Sequence, residues 1–314
     1  MRPYAAERLA ALLSAASIFA NVRTLGVCSP FSSRLIVSTR IAASLASCAC
    51  VSRAALRWPA ILFVVTAAAS LAIIQSALTD ELQSKHLAAF ATFAMAPLLA
   101  TPWIGLADGP LVTFSISALV LIRRNEDLTI PALLLGCAAL TKNEGYAMMV
   151  AAIIATAATQ GVKRAIRLWP AIAIAIPWLI ARYTHQIPTD LAQGSMITRV
   201  IEHIKHPGEY AQLLVIGNPL MWIGVALSIV CAWRRWKRER FLLLVVALQL
   251  SFYLLAYLVT PLDLEFHIKW SWDRLVSHIE PVIVFIALAT ALPLVRRAVL
   301  PPATESTSSA SAAA

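Results

Sequence analysis

The chain has 314 residues, of which 60% are hydrophobic and only 13% are charged. A water-soluble domain carries about 25% charged residues, so this composition, with a mean hydropathy of +0.75, excludes an ordinary soluble domain and predicts a multi-pass membrane protein. The net charge of +10 does not indicate nucleic-acid binding, because the basic residues form short clusters between apolar runs, as cytoplasmic loops do.

Residues 1–57 are predicted to be an irregular or degenerate N-terminal segment. Their main apolar run, 9–20, is shorter than the about 20 residues that a membrane crossing needs. The rest of the segment is rich in Ser, Ala and Arg, and no acidic residue occurs between Glu7 and Asp80. No regular structure is predicted for it.

Apolar runs alternate with charged loops over residues 58–297, which are predicted to form the membrane domain. The predicted fold class is an all-α, polytopic membrane helix bundle of about nine to ten transmembrane helices, with further helices in the outer-face loops. The predicted spans are 59–78, 87–104, 109–122, 129–141, 145–160, 166–183, 214–233, 241–260 and 279–295.

Basic residues cluster in every second loop of this domain. Because cytoplasmic loops carry an excess of Lys and Arg, these loops are predicted to be cytoplasmic in a multi-pass protein of the cell (inner) membrane. The tail, 298–314, is poor in bulky apolar residues and is predicted to be disordered in the cytoplasm. The basic clusters are Lys85, Arg123–Arg124, Lys163–Arg164 with Arg167, Arg234–Arg235 with Lys237–Arg238 and Arg240, and Arg296–Arg297.

The same alternation places loops 102–110, 141–145, 183–216 and 260–281 on the outer face. In the longest of them, polar residues at 199, 202, 203 and 206 share the spacing of one helix face. This pattern predicts an amphipathic helix lying on the membrane surface and shaping a cleft.

Asp108 precedes Gly109 and Pro110 at the start of a predicted helix. Proline suits the first turn of a helix, and an acid is favourable just before it, so a capped helix start is one interpretation. The other is a catalytic carboxylate presented to a hydroxyl, a metal or a phosphate-bound ion at the membrane surface.

A polar turn, Thr141–Gly145, separates two apolar runs. One interpretation is an ion pair between Lys142 and Glu144 in a tight turn. The other assigns Lys142 and Asn143 to binding a phosphate-bearing donor and Glu144 to catalysis, since lysine is a common phosphate ligand and a carboxylate can hold a hydroxyl.

The last outer loop is dense in ionisable and aromatic residues. His267 and Arg274 are predicted to receive a phosphate, while Trp270 and Trp272 fit an interfacial aromatic belt. A divalent cation is the one cofactor that the pattern allows, although only Asp263 and His267 have a spacing that could bind it. The acceptor-binding or structural candidates are Asp263, Glu265 and Asp273.

Three motifs carry a resemblance to a known family. They are Ala107-Asp108-Gly109-Pro110-Leu111, Leu140-Thr141-Lys142-Asn143-Glu144-Gly145, and Thr260-Pro261-Leu262-Asp263-Leu264-Glu265-Phe266-His267 followed by Ser271-Trp272-Asp273-Arg274. Together they resemble the GT-C class of integral-membrane glycosyltransferases, and most closely the family 39 relatives of the protein mannosyltransferases and aminoarabinose transferases.

The resemblance implies an enzyme that moves a sugar from a polyprenyl-phosphate carrier to a lipid, glycan or protein acceptor on the outer face, with inversion at the anomeric carbon. It implies membrane lipid as a partner and Asp108 as one of two catalytic acids. The family's other acid, in the first outer loop, has no counterpart in residues 1–57, so a truncated or altered N-terminus is expected. The alternatives are a catalytically inactive remnant of this class and a multi-pass transporter.

Overall fold

The computed structural model describes residues 64–100, 108–186, 195–205, 207–208, 211, 219–261 and 263–299. The chain divides into two units, Met1–Leu56 and Arg57–Ala314, and every described residue belongs to the second. The predictions for residues 1–57 and for most of the tail therefore lie outside the described residues.

The described residues are helical, with short turns between the helices and no strand among them, which confirms the all-α prediction for this part of the chain. Each predicted apolar run overlaps one of these helices. In chain order they are α1 (64–82), α2 (Lys85–Ala100), α3 (Asp108–Arg123), α4 (Thr129–Thr141), α5 (Asn143–Gln160), α6 (Val162–Ile166), α7 (Trp169–Thr184), α8 (Met196–Ile204), α9 (Pro219–Ala232), α10 (Trp236–Val259), α11 (Leu264–Ser277) and α12 (Glu280–Val299).

One helical run among the described residues, Met221–Val259, is long and apolar enough to cross a membrane by length and composition. The pair α11 and α12 passes the same test only when taken together, and it bends by 42° at its junction. The polytopic membrane bundle with about nine to ten spans therefore stays a prediction, whereas the helical fold is observed.

The run Met221–Val259 reverses direction within itself. The Trp222 and Tyr257 rings have their centroids 6.4 and 6.0 Å from that of Trp272, whereas a straight helix would hold these two residues about 52 Å apart. The reversal lies at a short 3₁₀ turn, Trp233–Arg235. Helices α9 and α10 are thus antiparallel, and the Arg- and Lys-rich segment between them lies at one end of the bundle.

Helix α3 lies at the centre of the bundle, and nearly all of its residues are buried. Small polar side chains join it to α1: the Ser117 hydroxyl donates to Ser70 Oγ at 2.8 Å, and Ser70 donates to the Thr113 carbonyl at 3.1 Å. Small residues of this kind let two helix backbones approach closely. Helix α1 is thereby held along the length of α3.

The C-terminal end of α3 carries a buried ion cluster. Arg123 donates to Glu239 from Nε at 2.8 Å and to Glu81 from Nη1 at 3.0 Å. Arg235 and Arg238 also contact Glu81, at 2.9 and 2.5 Å. The side chains of Arg123 and both acids are almost fully buried, and each charge is compensated, as burial requires. Basic loops that were predicted to share one side therefore meet at one end.

Helices α4 and α5 are joined by a single extended residue, Lys142 (φ −160°, ψ 161°). The reversal is tight because Gly145, in the first turn of α5, lies directly against the last turn of α4. A Cβ atom at Gly145 would fall 2.0 Å from the carbonyl oxygen of Ala138. Only glycine fits this close approach, so Gly145 sets the position of the neighbouring polar residues.

We expect Gly145→Ala to lower the free energy of unfolding by about 3 kcal/mol, because the added methyl group meets backbone atoms that cannot move aside independently. The measurement is the thermal unfolding midpoint of the detergent-solubilised protein. Gly224→Ala is the matched control, since its Cβ would meet only a side-chain atom of Ile283 at 3.4 Å. Equal midpoints for the two variants would contradict the proposed constraint.

Candidate functional site

A cluster of polar side chains lies at the end of the bundle opposite the Arg123 cluster. It forms where α3 begins, where α4 turns into α5, and where the C-terminal half of α10 meets α11 and the start of α12. Its members come from segments far apart in the sequence, namely three of the four predicted outer-face loops and helix α10. We call this group the polar end cluster; it comprises Asp108, Lys142, Glu144, Gln249, Tyr253, Arg274 and His278.

Asp108 is the first residue of α3 and is 1% exposed. Its Oδ1 accepts a hydrogen bond from His278 Nε2 at 2.8 Å and another from the Lys142 ammonium. Its position at a helix N-terminus is also favourable for a negative charge. The structure thus brings Asp108 and Lys142 into direct contact, and Lys142 pairs with Asp108 rather than with Glu144.

His278 lies in the turn between α11 and α12 and is 2% exposed. One hydrogen-bond assignment satisfies its surroundings with a neutral ring: Nε2–H donates to Asp108, and Nδ1 accepts from the Tyr253 hydroxyl at 3.3 Å. The charges of Asp108 and Lys142 then balance each other. Tyr253, His278 and Asp108 form a continuous buried chain of hydrogen bonds.

Glu144 and Arg274 form the accessible part of the polar end cluster. Glu144 Oε1 lies 3.8 Å from Arg274 Nη2, and their side chains are 20% and 49% exposed. The Glu144 carbonyl accepts from Gln249 Nε2 at 3.4 Å, while Gln249 Oε1 is buried with no partner among the described residues. A carboxylate and a guanidinium are therefore presented side by side at the surface of a buried polar network.

A second hydrogen-bonded group joins α10 to α11. The Tyr257 hydroxyl and Ser271 Oγ are 2.7 Å apart, and Ser271 also donates to the His267 carbonyl at 2.7 Å. The His267 ring meets the Tyr257 ring edge-on at 5.0 Å between centroids. Trp272 is buried against Trp222, unlike the interfacial position predicted for it.

The remaining predicted site residues have separate partners on the surface. Asn143 accepts from Arg182 Nη1 at 2.9 Å. Asp263 caps α11 by accepting from the Phe266 N–H at 2.9 Å. Glu265 pairs with Lys269 one turn later at 2.5 Å, and Asp273 is exposed on α11. These contacts fit structural roles for Asp263 and Glu265.

Sequence analysis missed three members of the polar end cluster, on two elements. Gln249 and Tyr253 are spaced by four residues within an apolar run, followed by Tyr257 at the same spacing, so the polar stripe on one face of α10 could have been recognised. His278 carried no such signal. Its partner Asp108 is 170 residues away in the chain, and nothing local to His278 indicates the contact.

The described residues contain no group of three or more His, Cys, Asp or Glu side chains placed to hold one metal ion. Asp263 and His267, which the sequence offered as a cation-binding pair, have other contacts instead. Asp263 is bonded to the backbone of α11, and the His267 ring packs on Tyr257.

Two opposing effects act on the pKa of the Asp108 carboxyl group. Burial alone would raise it, but the hydrogen bonds from His278 and Lys142, together with the charge of Lys142, outweigh burial. The pKa of Asp108 therefore lies below its ordinary value of 3.8, and the group is a carboxylate at neutral pH.

No family model, curated protein or solved structure matches the chain. The resemblance to the GT-C class thus rests on the three sequence motifs alone.

We expect Asp108→Asn to lower the thermal unfolding midpoint at about pH 7, because the Lys142 ammonium would lose its buried counter-charge. A carboxyl group whose pKa is lowered by folding stabilises the protein fully above its unfolded-state pKa and loses that effect as the pH falls through the folded-state value. The difference in unfolding midpoint between wild type and Asp108→Asn should therefore become smaller below about pH 4.

The control for this measurement is Asp273→Asn, which removes an exposed carboxylate from the same end of the bundle. Its midpoint should stay close to that of the wild type throughout. A difference between Asp108→Asn and wild type that stays constant from about pH 7 to about pH 3 would contradict the charge network around Asp108.

Proposed function

We propose that the chain is a polytopic membrane protein with the polar end cluster on its outer face. Large apolar side chains are exposed along several helices, and many exposed apolar side chains are typical of lipid contact. Exposed aromatic residues also occur at both ends, with Trp233 and Trp236 near the Arg123 cluster and Trp270 near the polar end cluster. The exposed apolar residues include Phe90, Phe93, Ile130, Leu133, Ile172, Ile176, Leu179, Ile223, Leu227 and Val230.

We further propose that the protein transfers a sugar from a polyprenyl-phosphate carrier to an acceptor hydroxyl at this face. The observation that carries the proposal is the meeting of Asp108, Lys142, Glu144 and Arg274 in one cluster. They come from three separate loops, and those loops hold the three motifs that resemble the GT-C class. Acids and cations placed together suit a reaction that needs a base and releases a phosphate.

In the proposed reaction Glu144 acts as the base, because it is the carboxylate of the cluster that an acceptor can reach. It takes the proton of the acceptor hydroxyl as that oxygen attacks the anomeric carbon. The bond from this carbon to the phosphate oxygen breaks, and polyprenyl phosphate leaves with the electron pair. Arg274, 3.8 Å from Glu144, stabilises the charge on the departing phosphate.

Asp108 has a positioning role in this proposal, in place of the direct catalytic role expected from the sequence. Its oxygen Oδ1 is already bonded to His278 and to Lys142, and its side chain is almost fully buried. It therefore orients the Lys142 ammonium, whose side chain is 22% exposed, toward the edge of the cluster. Lys142 can add its charge to that of Arg274 when a phosphate is present.

The topology can be tested by labelling single cysteines in intact cells, after replacement of the five native cysteines. Exposed positions suit the test, so we choose Asn143→Cys, Trp270→Cys and Lys237→Cys. A membrane-impermeant maleimide should label the first two from outside and should reach the third only after the membrane is opened. Labelling of position 237 but not of 143 in intact cells would overturn the outer-face assignment.

The reaction can be tested with membranes containing the protein and a panel of radiolabelled polyprenyl-phosphate sugars. A general base contributes about 100-fold or more to rate, so Glu144→Gln should reduce transfer at least about 100-fold. Glu265→Gln is the matched control, because Glu265 is an exposed acid at the same end whose partner is Lys269.

Two results would count against the proposal. Equal transfer rates for Glu144→Gln and Glu265→Gln would remove Glu144 from the reaction. If the wild-type protein transfers sugar from none of the polyprenyl-phosphate donors, the enzyme hypothesis is wrong. That result would favour a catalytically inactive remnant of the GT-C class.

A further inference from the structure

A cavity of about 350 Å³ opens at the end of the bundle opposite the polar end cluster. It lies between the ends of α3 and α5 and the first turns of α10. Its walls carry four basic side chains, together with Asn125 and the ring of Phe241. The basic side chains are Arg123, Lys237, Arg238 and Arg240.

The basic side chains at this cavity are not all paired with an acid of the described residues. Glu81 and Glu239 are the acids of the cluster, and their oxygens are bonded to Arg123, Arg235 and Arg238. No described carboxylate pairs with Lys237 or Arg240, and Arg240 donates only to the Thr159 carbonyl, at 2.6 Å. Among the described residues, two cations of the cavity therefore lack a counter-ion.

We propose that this cavity binds the phosphate of an anionic phospholipid headgroup. Guanidinium and ammonium groups converging on one concave site favour a ligand with an anionic phosphate over a neutral or zwitterionic ligand. The proposal rests on the membrane placement given above but not on the transfer reaction. It places the lipid at the end of the bundle that the basic clusters assign to the cytoplasm.

The surroundings of the cavity favour a lipid over free phosphate. Trp236 lies beside Lys237 and is 50% exposed. Val162 and Ile166, on the short helix that follows Gln160 of the cavity wall, are also exposed. These apolar side chains offer a surface for acyl chains next to a site for the headgroup, whereas inorganic phosphate would gain nothing from them.

The test is the binding of phosphatidylglycerol to the purified full-length protein in detergent, measured by native mass spectrometry and by the thermal unfolding midpoint. Phosphatidylcholine with the same acyl chains and inorganic phosphate serve as the two comparison ligands. We expect phosphatidylglycerol to bind and to raise the midpoint, and neither comparison ligand to do so to the same extent.

The variant Lys237→Ala/Arg240→Ala should bind phosphatidylglycerol about 30-fold more weakly, since each basic residue near an anionic lipid contributes about fivefold to affinity. The control Lys163→Ala/Arg167→Ala removes the same charge from exposed residues that do not line the cavity. It should keep the wild-type affinity.

If both double variants bind phosphatidylglycerol equally weakly, the proposal is wrong, because the lipid would then be attracted to any basic surface of the protein. If inorganic phosphate raises the unfolding midpoint as much as phosphatidylglycerol does, the cavity binds phosphate and not specifically a lipid headgroup. The measurement needs no sugar transfer and no membrane orientation, so failure of the proposed reaction or topology leaves its outcome readable.

Discussion

Helix α3 carries a buried charge at each end, and the bundle is built to compensate both. Asp108 stands at its N-terminus and Arg123 at its C-terminus, the signs that the helix dipole favours. The compensating charges come from other elements, Glu81 and Glu239 at one end and Lys142 at the other, where His278 adds a hydrogen bond. Removing one partner would leave a buried charge uncompensated, at a cost of about 3–5 kcal/mol. Helices α1 and α10, the α4–α5 turn and the α11–α12 turn are therefore tied to α3.

At the polar end cluster, this constraint distinguishes charges that are paired within the protein from charges that can contact a ligand. Asp108 is bonded to Lys142 and His278, so its negative charge is balanced within the protein. Glu144 and Arg274 are 3.8 Å apart, too far for a hydrogen bond, and both remain partly exposed. In the proposed reaction the pair exchanges its mutual attraction for contacts with a hydroxyl and a phosphate, and the buried network keeps the two side chains in position.

The helices were predictable from sequence because apolar runs and basic clusters are local signals. The same signals placed Asp108, Lys142 and Glu144 at one end, and the structure brings Lys142 onto Asp108. The contact of Arg123 with Glu239, 116 residues away, was not predictable, since charge pattern indicates the side of a loop but not its partner. His278 was missed for the same reason. Gly145 was seen as a turn residue, but its contact with the Ala138 carbonyl depends on how two helices pack.

Helix α8 turns its polar face toward the protein and its apolar face outward, which is the reverse of what is expected in water. Arg199 Nη1 donates to the Val259 carbonyl at 2.6 Å, and His203 Nδ1 lies 2.9 Å from the Leu258 carbonyl, so its polar face satisfies the free end of α10. Its apolar face, Ile197, Ile201 and Ile204, is exposed. In water this arrangement would expose three large apolar side chains without gain, whereas at a membrane surface they would contact lipid. The free end of α10 lies next to Tyr257. The orientation of α8 is therefore a second argument for a membrane surface at the level of the polar end cluster.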